Sequence, residues 1–100
     1  MTRNKEHIKE CTPPEWFVYL LICSDSSFYC GVTTDVYKRF AEHNFSDKGA
    51  KYTKGRRPVH LVWYERCLSK NDAYQKEYKI KKLKRSQKEK IILRGTYAKS

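Results

Sequence analysis

From Trp16 to Thr34 the chain reads WFVYLLICSDSSFYCGVTT, two apolar and aromatic runs around one polar turn, Ser24-Asp25-Ser26-Ser27. Runs of this length, rich in Val, Ile, Tyr, Phe and Trp and split by turn residues, predict a β-hairpin. The first run, Trp16 to Cys23, is apolar on both faces, which predicts a strand covered on both sides. Each run nevertheless carries a tyrosine, Tyr19 and Tyr29, and a buried phenol needs a hydrogen-bond partner. The loop length decides where they point. With an odd loop, for instance Ser24 to Ser26, Cys23 pairs with Ser27, Leu21 faces Tyr29 and Tyr19 faces Gly31. Both hydroxyls then share one face as diagonal neighbours. A four-residue loop would put them on opposite faces. Gly31 is a close-approach glycine, where the missing side chain leaves room for a ligand or another backbone.

Downstream, Thr33-Thr34-Asp35 opens a helix, with Thr34 or Asp35 as N-cap, running from about Val36 to Asn44. Its apolar face is predicted as Val36, Tyr37, Phe40 and Ala41, with Arg39 and His43 stacked at the edge of that face. Ser46 to Pro58 is a basic loop, and Val59 to Glu65 reads as a third strand. Ser69 to Asp72 starts a second long helix reaching about Leu83. Ser86 and Glu89 start a last short one through Ile91, Ile92 and Leu93. At about 100° per residue, Glu77 falls mid-arc between Ala73 and Ile80, on the side expected to face the sheet. A carboxylate there must be paired, hydrogen-bonded or bound to a cation. The pattern predicts an α/β (α+β) domain with a small three-stranded antiparallel sheet flanked by helices, in the order β-β-α-β-α-α. A loose polar leader is expected over 1–14, one domain over 15–94 and a frayed tail over 95–100.

Charge adds a partner class. The 100 residues carry 22 Lys and Arg against 11 Asp and Glu, a net +11. That length suits one core, and that charge favours a polyanion, most often nucleic acid. No apolar stretch approaches a membrane span, and the polar first ten residues do not read as a secretory signal. Cys11, Cys23, Cys30 and Cys67 form no C-x-x-C pair, as expected of reduced core thiols in a cytoplasmic protein. Lys51, Lys54, Arg56 and Arg57, with Tyr52 among them, are candidate nucleic-acid contacts. Tyr52 would stack on an unpaired base or pack on the sheet.

Phe17-Val18-Tyr19 followed by Tyr29-Cys30-Gly31 resembles the signature of the GIY-YIG nuclease family. Phe17 replaces the first glycine and Cys30 the usual isoleucine. Arg39 and His43 after the hairpin, then Glu77 on a later helix, stand where that family carries an arginine, a histidine and a glutamate. The resemblance covers Phe17 to about Leu93 and looks closest to small stand-alone bacterial members. These are related to the domain found in UvrC and in structure-specific resolvase-type nucleases. One departure is that no asparagine follows Asn71, where some members have one after the glutamate.

The resemblance implies a DNA endonuclease of repair or recombination that uses a single divalent metal, Mg²⁺ or Mn²⁺, held at Glu77. It implies that Tyr19 orients or deprotonates the attacking water and Tyr29 holds the phosphate or metal-bound water. The residue chemistry is compatible. Arg39 suits a bidentate phosphate contact, and one carboxylate with waters and phosphate suits Mg²⁺. A phenol of pKa ~10 is a poor base at neutral pH. Arg39, the metal or His43 would have to lower that value or take its proton. Expected partners are DNA, branched or flapped, and a protein that supplies specificity. The alternatives are a non-cleaving nucleic-acid-binding module of the same fold, and a basic protein whose partner is an acidic protein or RNA.

Overall fold

In the computed structural model, residues 13–97 are described. The leader expected over 1–14 thus lies outside the described residues, apart from 13 and 14. Three antiparallel strands, β1 (Trp16–Ile22), β2 (Phe28–Thr33) and β3 (His60–Cys67), form one sheet in the order β2-β1-β3. The central place of β1 explains why its sequence is apolar on both faces. The hairpin closes through the three-residue loop. Cys23 N donates to Ser27 O at 2.8 Å and Ser26 N to Cys23 O at 2.9 Å, with Ser26 in the left-handed region at φ 68°. Such a loop sets the strand register. Tyr19 therefore pairs with Gly31, and Leu21 with Tyr29.

Helices cover both faces. On one, Val18, Leu20, Cys30, Trp63 and Cys67 are buried against Ala73 and Ile80 of α3 (Lys70–Lys81) and Ile91 of α4 (Arg85–Arg94). On the other, Tyr19, Leu21, Cys23 and Val59 pack with Tyr29, Leu61 and Phe40, the last from α1 (Val36–Phe45). Asp35 caps α1, accepting from Lys38 N at 3.1 Å, and Ser69 caps α3, accepting from Asp72 N at 3.0 Å. Cys23, Cys30 and Cys67 are buried free thiols.

Four details differ from the sequence reading. The basic segment contains a short helix, α2 (Lys51–Lys54), so the order is β-β-α-α-β-α-α. The buried stripe of α1 is Val36, Phe40 and His43, while Tyr37 is 65% exposed and Ala41 is also exposed. The core under α1 takes an imidazole where hydropathy favours a methyl group, because that imidazole is fully hydrogen-bonded there. Helix α4 begins at Arg85, not at Ser86, since the Gln87 side chain accepts from Lys84 N at 2.9 Å and fixes the earlier start. Lastly, of the tail expected over 95–100, residues 98–100 lie outside the described residues, and Thr96 and Tyr97 are bonded to the sheet. Thr96 Oγ1 and Tyr97 N both donate to Glu65 Oε1 at 2.9 Å, and Tyr97 packs on the core.

Candidate active site

The hairpin register brings Tyr19 and Tyr29 to one face, with ring centroids 6.4 Å apart. Gly31, directly across from Tyr19, makes this possible. A Cβ there would lie 2.5 Å from Tyr19 Cζ. The room expected for a ligand is thus filled by the ring of Tyr19 itself. Tyr19 is 2% exposed, and its hydroxyl lies 2.7 Å from Nε2 of the fully buried His43. Tyr29 sets its ring edge-on to the same imidazole, with centroids 5.2 Å apart.

His43 reaches this position from the last turns of α1, and its far side is met by the segment that follows. Ala50 N donates to His43 Nδ1 at 3.2 Å, and Thr53 Oγ1 lies 3.1 Å from the same nitrogen. Gly49 permits that approach, because a Cβ there would stand 2.6 Å from Glu42 O and 2.8 Å from His43 Cα. A backbone N–H aimed at Nδ1 requires a bare nitrogen there, which leaves the imidazole proton on Nε2. His43 is therefore the donor and Tyr19 Oη the acceptor. Burial first, then the Arg39 cation, lower the His43 pKa from 6.5 to about 4, with Glu42 pulling the other way and Arg57 adding a lesser push down. The imidazole is neutral at physiological pH and does not act as the acceptor of the Tyr19 proton.

Burial raises both phenols above their usual range, and the Arg39 guanidinium pulls each back. Arg39 donates to Glu42 Oε1 at 3.0 Å and to Lys48 O at 2.7 Å, so it is braced while part of it faces the tyrosines. Glu77 on α3 and Lys81 act on Tyr29 in opposite senses, Glu77 raising its pKa and Lys81 lowering it. Burial first, and Glu77 second, push the Cys30 thiol to about 12. The Glu77 side chain is only 18% exposed and meets Lys81 Nζ at 3.4 Å. As expected of its arc, it lies between the buried Ala73 and Ile80.

The basic segment divides into two kinds of residue. Lys51 and Lys54 are exposed on α2. Tyr52 stacks on Tyr29 at 5.9 Å, and its ring also carries the Arg56 guanidinium at 3.9 Å. Arg56 further bonds Asp25 Oδ2 at 3.0 Å. This arrangement favours the packing alternative for Tyr52 over base stacking. Arg57 is turned inward. Its Nε donates to His43 O at 2.6 Å, and its Nη2 to Ser46 O at 2.6 Å and Glu42 O at 3.3 Å. It caps the carbonyl end of α1. Sequence reasoning missed Thr53, Gly49 and the capping by Arg57. The one local signal was a small polar residue and a glycine inside a strongly basic run.

No cluster of three or more His, Cys, Asp or Glu able to hold a metal occurs among the described residues. Glu77 fits the simpler requirement of a cation held by one carboxylate, water and phosphate oxygens. Glu42, Glu65 and Asp25 are engaged elsewhere. A surface groove of about 520 Å³ between Phe40, Phe45, Pro58 and His60 is apolar and contains none of the five site residues.

A buried phenol beside a half-buried one, with the Arg39 cation acting on both, suits chemistry on a phosphate. Comparison with known proteins agrees with that class: the chain belongs to the GIY-YIG family of nuclease domains, whose catalytic-domain profile matches residues 15–90. It is 45% identical over 83 residues to a UPF0213 protein of Desulfotalea psychrophila, covering 83% of this chain and 76% of the relative. It is 54% identical over 75 residues to a UPF0213 protein of Halobacterium salinarum, covering 75% and 96%. Among solved structures, the solution NMR structure of the UPF0213 protein BH0048 from Bacillus halodurans superposes with a TM-score of 0.52. It shares 46% identity and covers 81% of this chain and 86% of that one. No helix of the described residues is long and apolar enough to cross a membrane.

Proposed function

We propose that this protein is a divalent-metal-dependent DNA endonuclease whose site comprises Tyr19, Tyr29, Arg39, His43 and Glu77. The observation that carries the reading is the buried Tyr19–His43 bond, with Arg39 acting on both phenols. In this reading Arg39 neutralises charge that grows on the phosphate in the transition state. Tyr19, held by the His43 Nε2–H, orients the attacking water and takes its proton when ionised. Tyr29 contacts a phosphate oxygen. Glu77 would hold Mg²⁺ or Mn²⁺, which supplies Lewis-acid polarisation of the phosphate and eases departure of the leaving oxygen. Lys51 and Lys54 add sequence-independent backbone contacts, which fits a substrate chosen by shape, such as flapped or branched DNA in repair or recombination. A protein partner and a cytoplasmic location belong to the same reading.

Glu77→Gln provides the test on one preparation, reading thermal stability, DNA affinity and cleavage of linear, flapped and branched DNA with Mg²⁺, Mn²⁺ or EDTA. A Glu–Lys pair four residues apart on a helix is worth about 0.3–0.5 kcal/mol. The melting temperature should therefore hardly move, and binding should persist or tighten while cleavage is lost. A stable variant that still cuts would remove Glu77 from the site. Wild-type protein that binds every DNA offered and cuts none would favour the non-cleaving binding module.

A further inference from the structure

The segment between α1 and β3 brings a buried hydroxyl up to His43 from outside the hairpin signature. His43 is fully buried, and its two ring nitrogens meet different elements, Nε2 the tyrosine of β1 and Nδ1 the start of α2. Thr53 is also 0% exposed, a hydroxyl enclosed within an otherwise exposed basic stretch. Its Oγ1 lies 2.8 Å from Ala50 O and 3.1 Å from His43 Nδ1. That hydroxyl donates to Ala50 O, which also accepts Thr53 N at 3.0 Å and Lys54 N at 3.3 Å, so Thr53 holds Ala50 from its carbonyl side.

We propose that Thr53 is a positioning residue: its hydroxyl holds Ala50 in place, and the Ala50 amide fixes the tautomer of His43 so that the imidazole donates to Tyr19. The donor to Nδ1 is a backbone N–H that cannot turn away once Thr53 holds its residue. Were Nδ1 protonated it would meet that N–H head-on, and the Ala50 hydrogen would be left buried without an acceptor, which disfavours the form. With the Nε2–H bonded to Tyr19 Oη, the phenol's own hydrogen is directed away from His43. The same Nε2–H, together with the Arg39 charge, favours the phenolate form of Tyr19 against the burial that opposes it. The roles of His43 as donor and Tyr19 as acceptor are thus set by a helix of four residues outside the hairpin signature.

The tautomer stands apart from catalysis, whereas its effect on turnover rests on the endonuclease reading above. The experiment is a long-range ¹H–¹⁵N correlation spectrum of the histidine rings in the wild type, Thr53→Val and Thr53→Ser. Cleavage kinetics are measured on the same samples. In the wild type His43 should show a bare Nδ1 and a protonated Nε2 between pH 5.5 and 8. In Thr53→Val the Nδ1 resonance should shift, and kcat should fall about tenfold with KM for DNA unchanged. Thr53→Ser, which restores the hydroxyl, should return both to wild-type values. A wild-type spectrum with Nδ1 protonated would overturn the proposal, as would a folded Thr53→Val protein with unaltered spectrum and turnover. If wild-type protein cuts no DNA, the spectra still decide the tautomer while the nuclease reading fails separately. If Thr53→Val does not fold, the wild-type and serine spectra decide it.

Discussion

The two faces of the sheet are built on different principles. Under α3 and α4 the contacts are between apolar side chains such as Val18, Leu20, Ile80 and Ile91. Under α1 and α2 the buried centre is a tyrosine, a histidine and a threonine joined by directed bonds. Among the described residues the only fully buried side-chain polar atom without a partner, Trp63 Nε1, lies on the apolar face. The polar face has none, although it buries more polar groups. One layer of this small domain is thus packed mainly by hydrocarbon, though its helix α3 also carries Glu77, while the other is held by directed polar bonds.

Substituting one residue on each face separates these roles. Tyr19→Phe should reduce turnover about 10³-fold, the loss of a group acting on a proton in the transition state. Its effect on stability should be smaller, about 1–3 kcal/mol for the Nε2–H left without an acceptor. Leu20→Ala should cost about 2–5 kcal/mol of stability and leave turnover per folded molecule unchanged. Denaturant titration combined with single-turnover cleavage checks both. Equal stability losses with equal activity losses would erase the distinction.

Acid should act on the polar face first. The His43 pKa falls from 6.5 to about 4 on folding. The unfolded chain therefore binds a proton that the folded chain resists. The stabilisation is complete above pH 6.5 and is lost as pH falls toward 4, a total of about 3 kcal/mol at 1.36 kcal/mol per decade. The carboxylates with lowered values, Asp25, Glu42, Glu65 and Asp72, contribute at lower pH, below 4.5. A melting temperature that drops between pH 6.5 and 5 in wild-type protein, and not in His43→Gln, is the expected signature.

The smallest expected effects distinguish the basic residues from one another. Arg57→Ala should destabilise the fold by about 2 kcal/mol, since it removes charged hydrogen bonds to three carbonyls. Lys51→Ala with Lys54→Ala should leave stability within about 0.5 kcal/mol. The lysine pair should instead weaken binding to all DNA sequences alike and reduce the salt dependence by about one to two released ions. Fluorescence anisotropy across a salt series, with thermal melts, resolves the two classes.

The apolar face was legible from the chain because periodicity reports on apolar packing. The hairpin register was legible too, since loop parity and two tyrosines leave only two arrangements, and β1 pairs Tyr19 with Gly31 as the odd loop requires. The rest of the polar face was not. Hydropathy placed His43 at the edge of α1 and assigned Tyr37 and Ala41 to the buried side. A polar residue enters a core only through partners that lie elsewhere in the sequence. Ala50 N is such a partner, and a backbone amide has no signature. Arg57 looked like its neighbour Arg56, and only the end of α1 distinguishes them.

Asn44 makes a two-way link that bears on how the molecule moves. Its amide donates to Val59 O at 2.9 Å and accepts from Val59 N at 2.7 Å, closing α1 onto the residue before β3. With Arg57 holding the end of the same helix, the segment between them is fastened at both ends, and α2 is enclosed within it. Residues 44–59 should thus open as one cooperative unit, with slow amide exchange at Ala50 and Val59 sharing a common free energy. The imidazole would then lose its Nδ1 partner only in the same rare event that detaches β3 from α1. The lifetime of the Tyr19–His43 arrangement would then be governed by an asparagine that touches neither side chain.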